Sequence, residues 1–200
     1  MDKRYPLTLD LLIDESIALF KGTLKKPANE IKKDVLEFFN GRLQNQLISQ
    51  GFAYDTVEAV LSEGVNDVVL ALEKIKALQI FRQNTEFEPI SIAFKRVDNI
   101  LKDFRNPHVD VNLLKDEAEI RLFSTFENIK TRVEKGITEN NFNFALSELA
   151  TLRPPVDAFF DGVMVMDKDE NIRINRLSLL AEISALFHKI ADFSKIVTTN

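Results

Sequence analysis

Apolar residues recur at every third or fourth position along almost the whole chain, and nowhere do they alternate for the length of a strand. That periodicity is the tightest constraint here. A helix returns its buried face about every 3.6 residues and a strand every second one, so the pattern admits helices and excludes a sheet. The clearest case follows Pro89, where Ile90, Ala93, Phe94, Val97, Ile100, Leu101 and Phe104 share one broad face.

The same spacing predicts a first helix over 7–21, with Leu12, Ser16, Leu19 and Phe20 in register, and a longer one over 28–49. Ile31, Val35, Phe38, Phe39, Leu43 and Leu47 form the longer helix's stripe, and Gly51 stops it. Asp55 and Glu58 have capping-box spacing for a short helix ending at Gly64. Asn66 is expected to cap the next, through 80, on a stripe of Val69, Leu72, Ile75 and Leu78. Asn106-Pro107 closes the Pro89 helix, since proline restricts the residue before it. Ala118, Leu122, Phe126, Ile129 and Val133 mark a helix that Gly136 should stop, and Thr138 caps one holding Phe142, Ala145, Leu146 and Leu149. Pro154-Pro155 opens a further helix, because a first-turn proline sacrifices no hydrogen bond. Leu177, Leu180, Ile183 and Phe187 drive the last long one, and DFSKIV adds a terminal turn. The expectation is all-α: a bundle of about nine helices with short connections. Residues 1–88 would pack on a unit formed by 89–200.

Composition narrows the chemistry. There is no cysteine and there are two histidines, His108 and His188, so a thiol nucleophile or a Cys-based zinc site is impossible and multi-His metal binding nearly so. The net charge of −5 gives no support to bulk nucleic-acid or anionic-membrane binding. No apolar run approaches the ~20 residues of a membrane span. These features fit a reducing cytoplasm. No phosphate-binding glycine loop, zinc helix or nucleophile elbow occurs.

Individual polar residues read mostly as structural. Asp167, Asp169 and Glu170 lack the glycine and distal glutamate of a calcium loop and read as a solvated turn. His188 sits near a helix C-terminus and suits a structural or dipole-facing role. His108 has no triad partner. Asp157 and Asp161, one helical turn apart, read as anchors for Arg153 or Arg176 rather than as an acid–base pair. The sixteen phenylalanines, notably Phe38, Phe94, Phe104 and Phe126, read as core rather than as base-stacking platforms. One surface feature remains. Lys95, Asn99 and Lys102 follow one another on the polar face of the Pro89 helix, flanked by Arg96 and Arg105, and these residue types contact phosphates and base edges. The plainer alternative is a solvated face laced with Asp98 and Asp103.

The order of residues carries a further signal. FEPISIAFKRVDNILKD, VLEFFNGRLQNQLISQGFAYDTVEAVL and LATLRPPVDAFFDGVMVMDKDENIRINRLSLLAEISALFHKIADFSKI resemble, in order, the C-terminal portion of bacterial glycyl-tRNA synthetase beta subunits. Lys95, Arg96, Asn99 and Ile100 fall at the family's KRV-x-NI signature. Arg153, Pro154, Val156, Asp157, Phe159, Phe160 and Asp161 fall at its terminal signature, and Asn175, Arg176 and Leu177 in its last helix. Val97 and Ile100 read as core, and Asp157 and Arg176 as packing residues.

The resemblance implies a DALR-type anticodon-binding domain in a non-catalytic subunit. That subunit would assemble with a catalytic alpha subunit as alpha2-beta2 and support ATP-dependent glycylation of tRNA(Gly). The chain would be a piece of a longer subunit, its opening MDKRYP a cut site with an added methionine. Neither a catalytic residue nor a cofactor is expected within it, and ATP would be used by the whole enzyme. Lys95, Arg96, Asn99, Lys102 and Arg105 are the expected tRNA contacts. The rival expectation is a structural module that docks the alpha subunit.

Overall fold

The computed structural model describes residues 7–102, 104–105 and 107–198. MDKRYP, Asp103 and Asn106 lie outside the described residues. Nine α-helices, and no strand, occur among the described residues. They are α1 (Leu9–Leu19), α2 (Ala28–Ser49), α3 (Tyr54–Leu61), α4 (Val68–Phe81), α5 (Phe87–Leu101), α6 (Glu117–Thr138), α7 (Phe142–Ala150), α8 (Arg153–Gly162) and α9 (Glu170–His188). Short 3₁₀ turns at Val111–Leu113 and Phe193–Lys195 complete the chain.

The stripes of the later helices pack as their spacing predicts. Leu122, Phe126, Ile129 and Val133 of α6 are buried, as are Phe142, Ala145, Leu146 and Leu149 of α7. On α9, Leu177, Leu180, Ile183 and Phe187 point inward, and Leu179 and Leu186 join them. Three rings, Phe94 (α5), Phe187 (α9) and Phe193, form the centre: Phe94 and Phe187 stack at 4.4 Å, and Phe193 meets both edge-on. Such aromatic contacts add about 0.5–1.5 kcal/mol each beyond their buried area. One apolar cluster runs from Leu47 to Ile196, with Val57, Ile75 and Leu78 of α3 and α4 inside it.

The earlier helices depart from expectation. α1 buries no residue and α2 only Leu47, while Leu19, Phe20 and Phe38 are 86%, 61% and 66% exposed. Phe38 is therefore not a core residue. It lies under the guanidinium of Arg42, 5.0 Å from its ring centre. Val69 is also exposed, because α4 turns Ala71, Ile75, Leu78 and Phe81 inward instead.

Several caps are displaced from their predicted places. Asp67, not Asn66, accepts the amides of Val69 and Leu70 at the start of α4. Asn66 is instead engaged by the amides of Leu9 and Asp10, which ties α1 to the loop before α4. Asp55 lies inside α3 rather than capping it, and its buried carboxylate serves a tertiary contact. α6 passes through Gly136 and ends at Thr138, and Asn141 caps α7. Gly136 leaves little room for a side chain: a Cβ there would lie 3.1 Å from Phe144 Cδ1 and 3.2 Å from the Ala145 Cβ.

A charged cluster clamps the bundle. Arg176, buried on α9, is held by Glu119 and Asp116 at the start of α6, by Asp167, and by the Met164 carbonyl. Glu119 also accepts the amides of Lys115 and Asp116 in a capping box. Asp167 is thus an ion-pair partner, not a solvated turn residue. A buried guanidinium is tolerated only when its donors are matched in this way. Residues 163–166 form the extended link that delivers the Met164 carbonyl and Asp167, with Val163 and Val165 inward and Met164 and Met166 outward.

Candidate nucleic-acid interface

α5 carries the predicted row because its two faces differ sharply. Phe87, Ile90, Ala93, Phe94 and Val97 are buried, and Ser91 returns its hydroxyl to the Phe87 carbonyl at 2.7 Å. The opposite side presents Ile92, Arg96 and Asn99 to solvent, with Lys95 half-buried beside them. These positions fall at i, i+3, i+4 and i+7, a single stripe.

That stripe does not face open solvent alone. The chain returns after α9, and residues 194–198 run alongside α5. Between them lies a groove of about 720 Å³, lined by Lys95, Arg96 and Asn99 on one side and by Lys195, Val197 and Thr198 on the other. Lys95 Nζ reaches the Thr198 hydroxyl at 3.3 Å across it. Arg96 is fixed from behind by Phe160 of α8, the guanidinium carbon lying 4.2 Å from the ring centre. Cation–π contact orients a guanidinium without neutralising it. Among the described residues no carboxylate pairs with Lys95, Arg96 or Lys195.

The tail that forms the second wall is anchored firmly. Phe193 and Ile196 are buried, the Asp192 amide donates to the Ala59 carbonyl at 2.8 Å, and the Val197 amide donates to Asp55 Oδ2 at 2.8 Å. Arg82 of α4 holds the same Asp55 oxygen at 2.8 Å. The groove is therefore built before any ligand arrives.

The five predicted residues do not all share this place. Lys95, Arg96 and Asn99 line the groove, whereas Lys102 is the C-cap of α5 and Arg105 lies beyond the helix, donating to the Phe104 carbonyl at 3.0 Å. The helix stops at Leu101, so the periodic spacing that would extend the row is broken there. Asp98, expected to lace this face, points elsewhere. It accepts from the Ser184 hydroxyl at 2.8 Å and faces His188 Nε2 at 3.5 Å. Ile92, Lys195 and Val197 were missed by the sequence reading. Nothing in a short terminal turn signals that it will fold back onto a helix about a hundred residues earlier.

The other candidates resolve as structural. Asp157 Oδ2 lies 2.9 Å from Arg153 Nε within α8, so it anchors Arg153 on its own helix and not Arg176. His188 lies between Glu63 at 2.7 Å and Asp98, with the ring edge-on to Phe94. The hydrogen bonds of Asp98 and Glu63 push its pKa up to about 10 against the opposing effect of burial. Asp98, His188 and Asp192 could in principle meet around a metal ion. Both ring nitrogens face carboxylates, Nδ1 that of Glu63 and Nε2 that of Asp98, and the ring joins α9 to α5 and to the end of α3 as an ion-pair partner.

The later helices of the bundle, from α5 onward, carry both walls of this groove. Residues 90–199 match the DALR anticodon binding domain, and the chain belongs to that family. At the level of whole proteins it is similar to glycine–tRNA ligase beta subunits. It is 51% identical over 198 residues to that of Syntrophus aciditrophicus, covering 99% of this chain and 29% of the relative. It is 43% identical over 196 residues to those of Syntrophotalea carbinolica and Geobacter metallireducens, covering 98% of this chain and 28% of each. The chain thus spans under a third of the length of these curated relatives.

Proposed function

We propose that this chain is the tRNA(Gly) anticodon-recognition portion of a glycine–tRNA ligase beta subunit, with the catalytic site and its ATP carried by an alpha subunit in an alpha2-beta2 assembly. In this reading residues 89–200 are the recognition unit and 1–88 its packed support. Lys95, Arg96 and Asn99 contact the anticodon arm, with Lys102 and Arg105 reaching backbone phosphates further along it. The observation that supports the reading is the pair of cations Lys95 and Arg96 on α5 inside the matched segment, which no carboxylate neutralises among the described residues. A net-acidic chain gathers little RNA by bulk charge, so a local cationic groove must do the binding. No described helix is long and apolar enough to cross a membrane.

The test is the Lys95→Ala/Lys102→Ala double variant in the assembled ligase. Phosphate contacts release counterions, with a slope near −0.7 per phosphate on single strands. The variant is expected to keep its helical spectrum, to bind tRNA(Gly) more weakly, and to show a salt slope shallower by up to about 1.4. An unchanged affinity and slope would assign this face to solvent.

A second reading rests on a separate observation, the exposed apolar side chains of α1 and α2. Leu12, Phe20 and Leu24 line an open apolar cleft with Ile31 and Val35. In that reading this arm docks another part of the ligase, such as the alpha subunit. Leu12→Ser/Phe20→Ser would then weaken assembly while leaving tRNA affinity of the assembled fraction intact.

A further inference from the structure

We propose that the groove between α5 and residues 194–198 is the seat of an unstacked nucleotide, with Lys195 and Val197 as binding residues that complete the α5 row. This inference rests on the anticodon-recognition reading above and assigns its geometry. Three observations carry it.

The first is charge. Lys195 stands on the far wall from Lys95 and Arg96, so the groove is cationic on both sides in a chain whose net charge is −5. A phosphate lying along the groove would be approached from two directions. A single helix face could offer it only one.

The second is the apolar content of the same walls. Ile92 on α5 is 50% exposed and Val197 on the tail 66% exposed, and both line the groove. A base paired within a duplex keeps its faces stacked on its neighbours and cannot use such surfaces. A base freed from the stack can lie against them, as single-stranded RNA does in protein grooves. The Asn99 amide, exposed at the same groove, carries both donor and acceptor for a base edge. The occupant is therefore a single-stranded stretch of RNA rather than a helical stem.

The third is pre-organisation. Beyond the 3₁₀ turn at Phe193–Lys195, Asp55 fixes the Val197 amide and is itself fixed by Arg82. Ile196 is buried between the two exposed groove residues Lys195 and Val197. Fixing the backbone that carries Lys195 and Val197 before binding lowers the ordering cost that the RNA would otherwise have to offset.

The experiment uses the complete ligase and an unmodified tRNA(Gly) transcript, comparing Lys195→Ala, Lys195→Arg and Val197→Glu with the Lys95→Ala/Lys102→Ala variant. All the substituted side chains but Lys95 are exposed, and each variant is checked for its helical spectrum and assembly. Lys195→Ala is expected to raise KM for tRNA about three- to tenfold and to make the salt slope shallower by about 0.7, as loss of one single-strand phosphate contact requires. Lys195→Arg should restore most of the affinity, and Val197→Glu should lose more than Lys195→Ala. Glycine activation measured without tRNA should stay at the parent rate in all of them. Parent-like tRNA binding by Lys195→Ala and Val197→Glu, alongside weakened binding by the α5 double variant, would overturn the groove and leave the anticodon reading standing. Parent-like binding by all the variants would overturn both.

Discussion

The guanidinium of Arg96 on α5 rests on the ring of Phe160 on α8, its central carbon 4.2 Å from the ring centre. Phe160 in turn meets Phe159 edge-on, and Phe159 is fully buried, so the ring that supports the cation is itself braced by the core. Replacing Phe160 with Leu keeps an apolar body but removes the quadrupole that holds the cation. The loss of about 0.5–1 kcal/mol of orientation should lower affinity for tRNA(Gly) roughly two- to fivefold, with little change in urea midpoint. A filter-binding titration at fixed salt measures it. Parent-like binding by Phe160→Leu would show that the orientation of Arg96 does not matter to the RNA.

Two glycines inside helices should respond oppositely to alanine. A methyl group added at Gly41 in α2 would meet nothing within 4 Å, so Gly41→Ala should gain about 0.5–1 kcal/mol from helix propensity. Gly136→Ala gains the same propensity but pushes its Cβ against Phe144, Ala145 and the Asn141 carbonyl, all within 3.3 Å. Overpacking costs about 1–3 kcal/mol, so Gly136→Ala should be net destabilising. Urea unfolding of the two variants decides the signs.

The imidazolium of His188 predicts a pH dependence of stability. Its neighbours are Glu63 before α4, Asp98 on α5 and Asp192 after α9. Its pKa is raised from an ordinary 6.5 to about 10. A raised folded-state pKa adds stability that is fully present below about pH 6.5 and is lost as the pH climbs through about 10. His188→Gln should therefore be less stable than the parent near neutrality, and the gap should narrow towards pH 10. Urea midpoints of both proteins over that range provide the check. A gap that stays constant with pH would mean that the ring contributes packing and not charge.

Arg176 should be among the most sensitive positions. Removing one partner of a buried ion pair strands the other, at a cost of about 3–5 kcal/mol. Arg176→Ala leaves the buried Glu119 carboxylate without its cation and releases Asp116 and Asp167. Arg176→Ala/Glu119→Gln should recover part of the loss, because the uncompensated charge goes with the cation. Thermal unfolding of the single and double variants tests this coupling.

How far the sequence could be read varied with the kind of contact involved. Stripes such as Ile90–Phe94–Val97 were legible, because a helix buries what its own period aligns, whatever its partner. Phe38 was misjudged for the complementary reason. Periodicity shows which side chains share a face, but not whether anything covers that face. Asp55 has perfect capping spacing with Glu58, yet a tertiary partner, Arg82, claimed it. At the candidate site, Lys95, Arg96 and Asn99 were visible as one row on one helix. Lys195 and Val197 were not, because their relation to that row exists only once the tail has crossed back over α5.

The socket around Arg176 has a bearing on how such a chain can change over generations. Its partners are divided between the start of α6 and the link before α9, two segments that α6, α7 and α8 separate in the sequence. A lone replacement at Glu119 or Arg176 is filtered out by instability before it can be tried for anything else. A viable route passes through a paired exchange, an apolar residue entering in place of each ion, and until both arrive the lineage is held. The Met164 position is exempt, since it contributes its backbone and leaves its side chain free to drift.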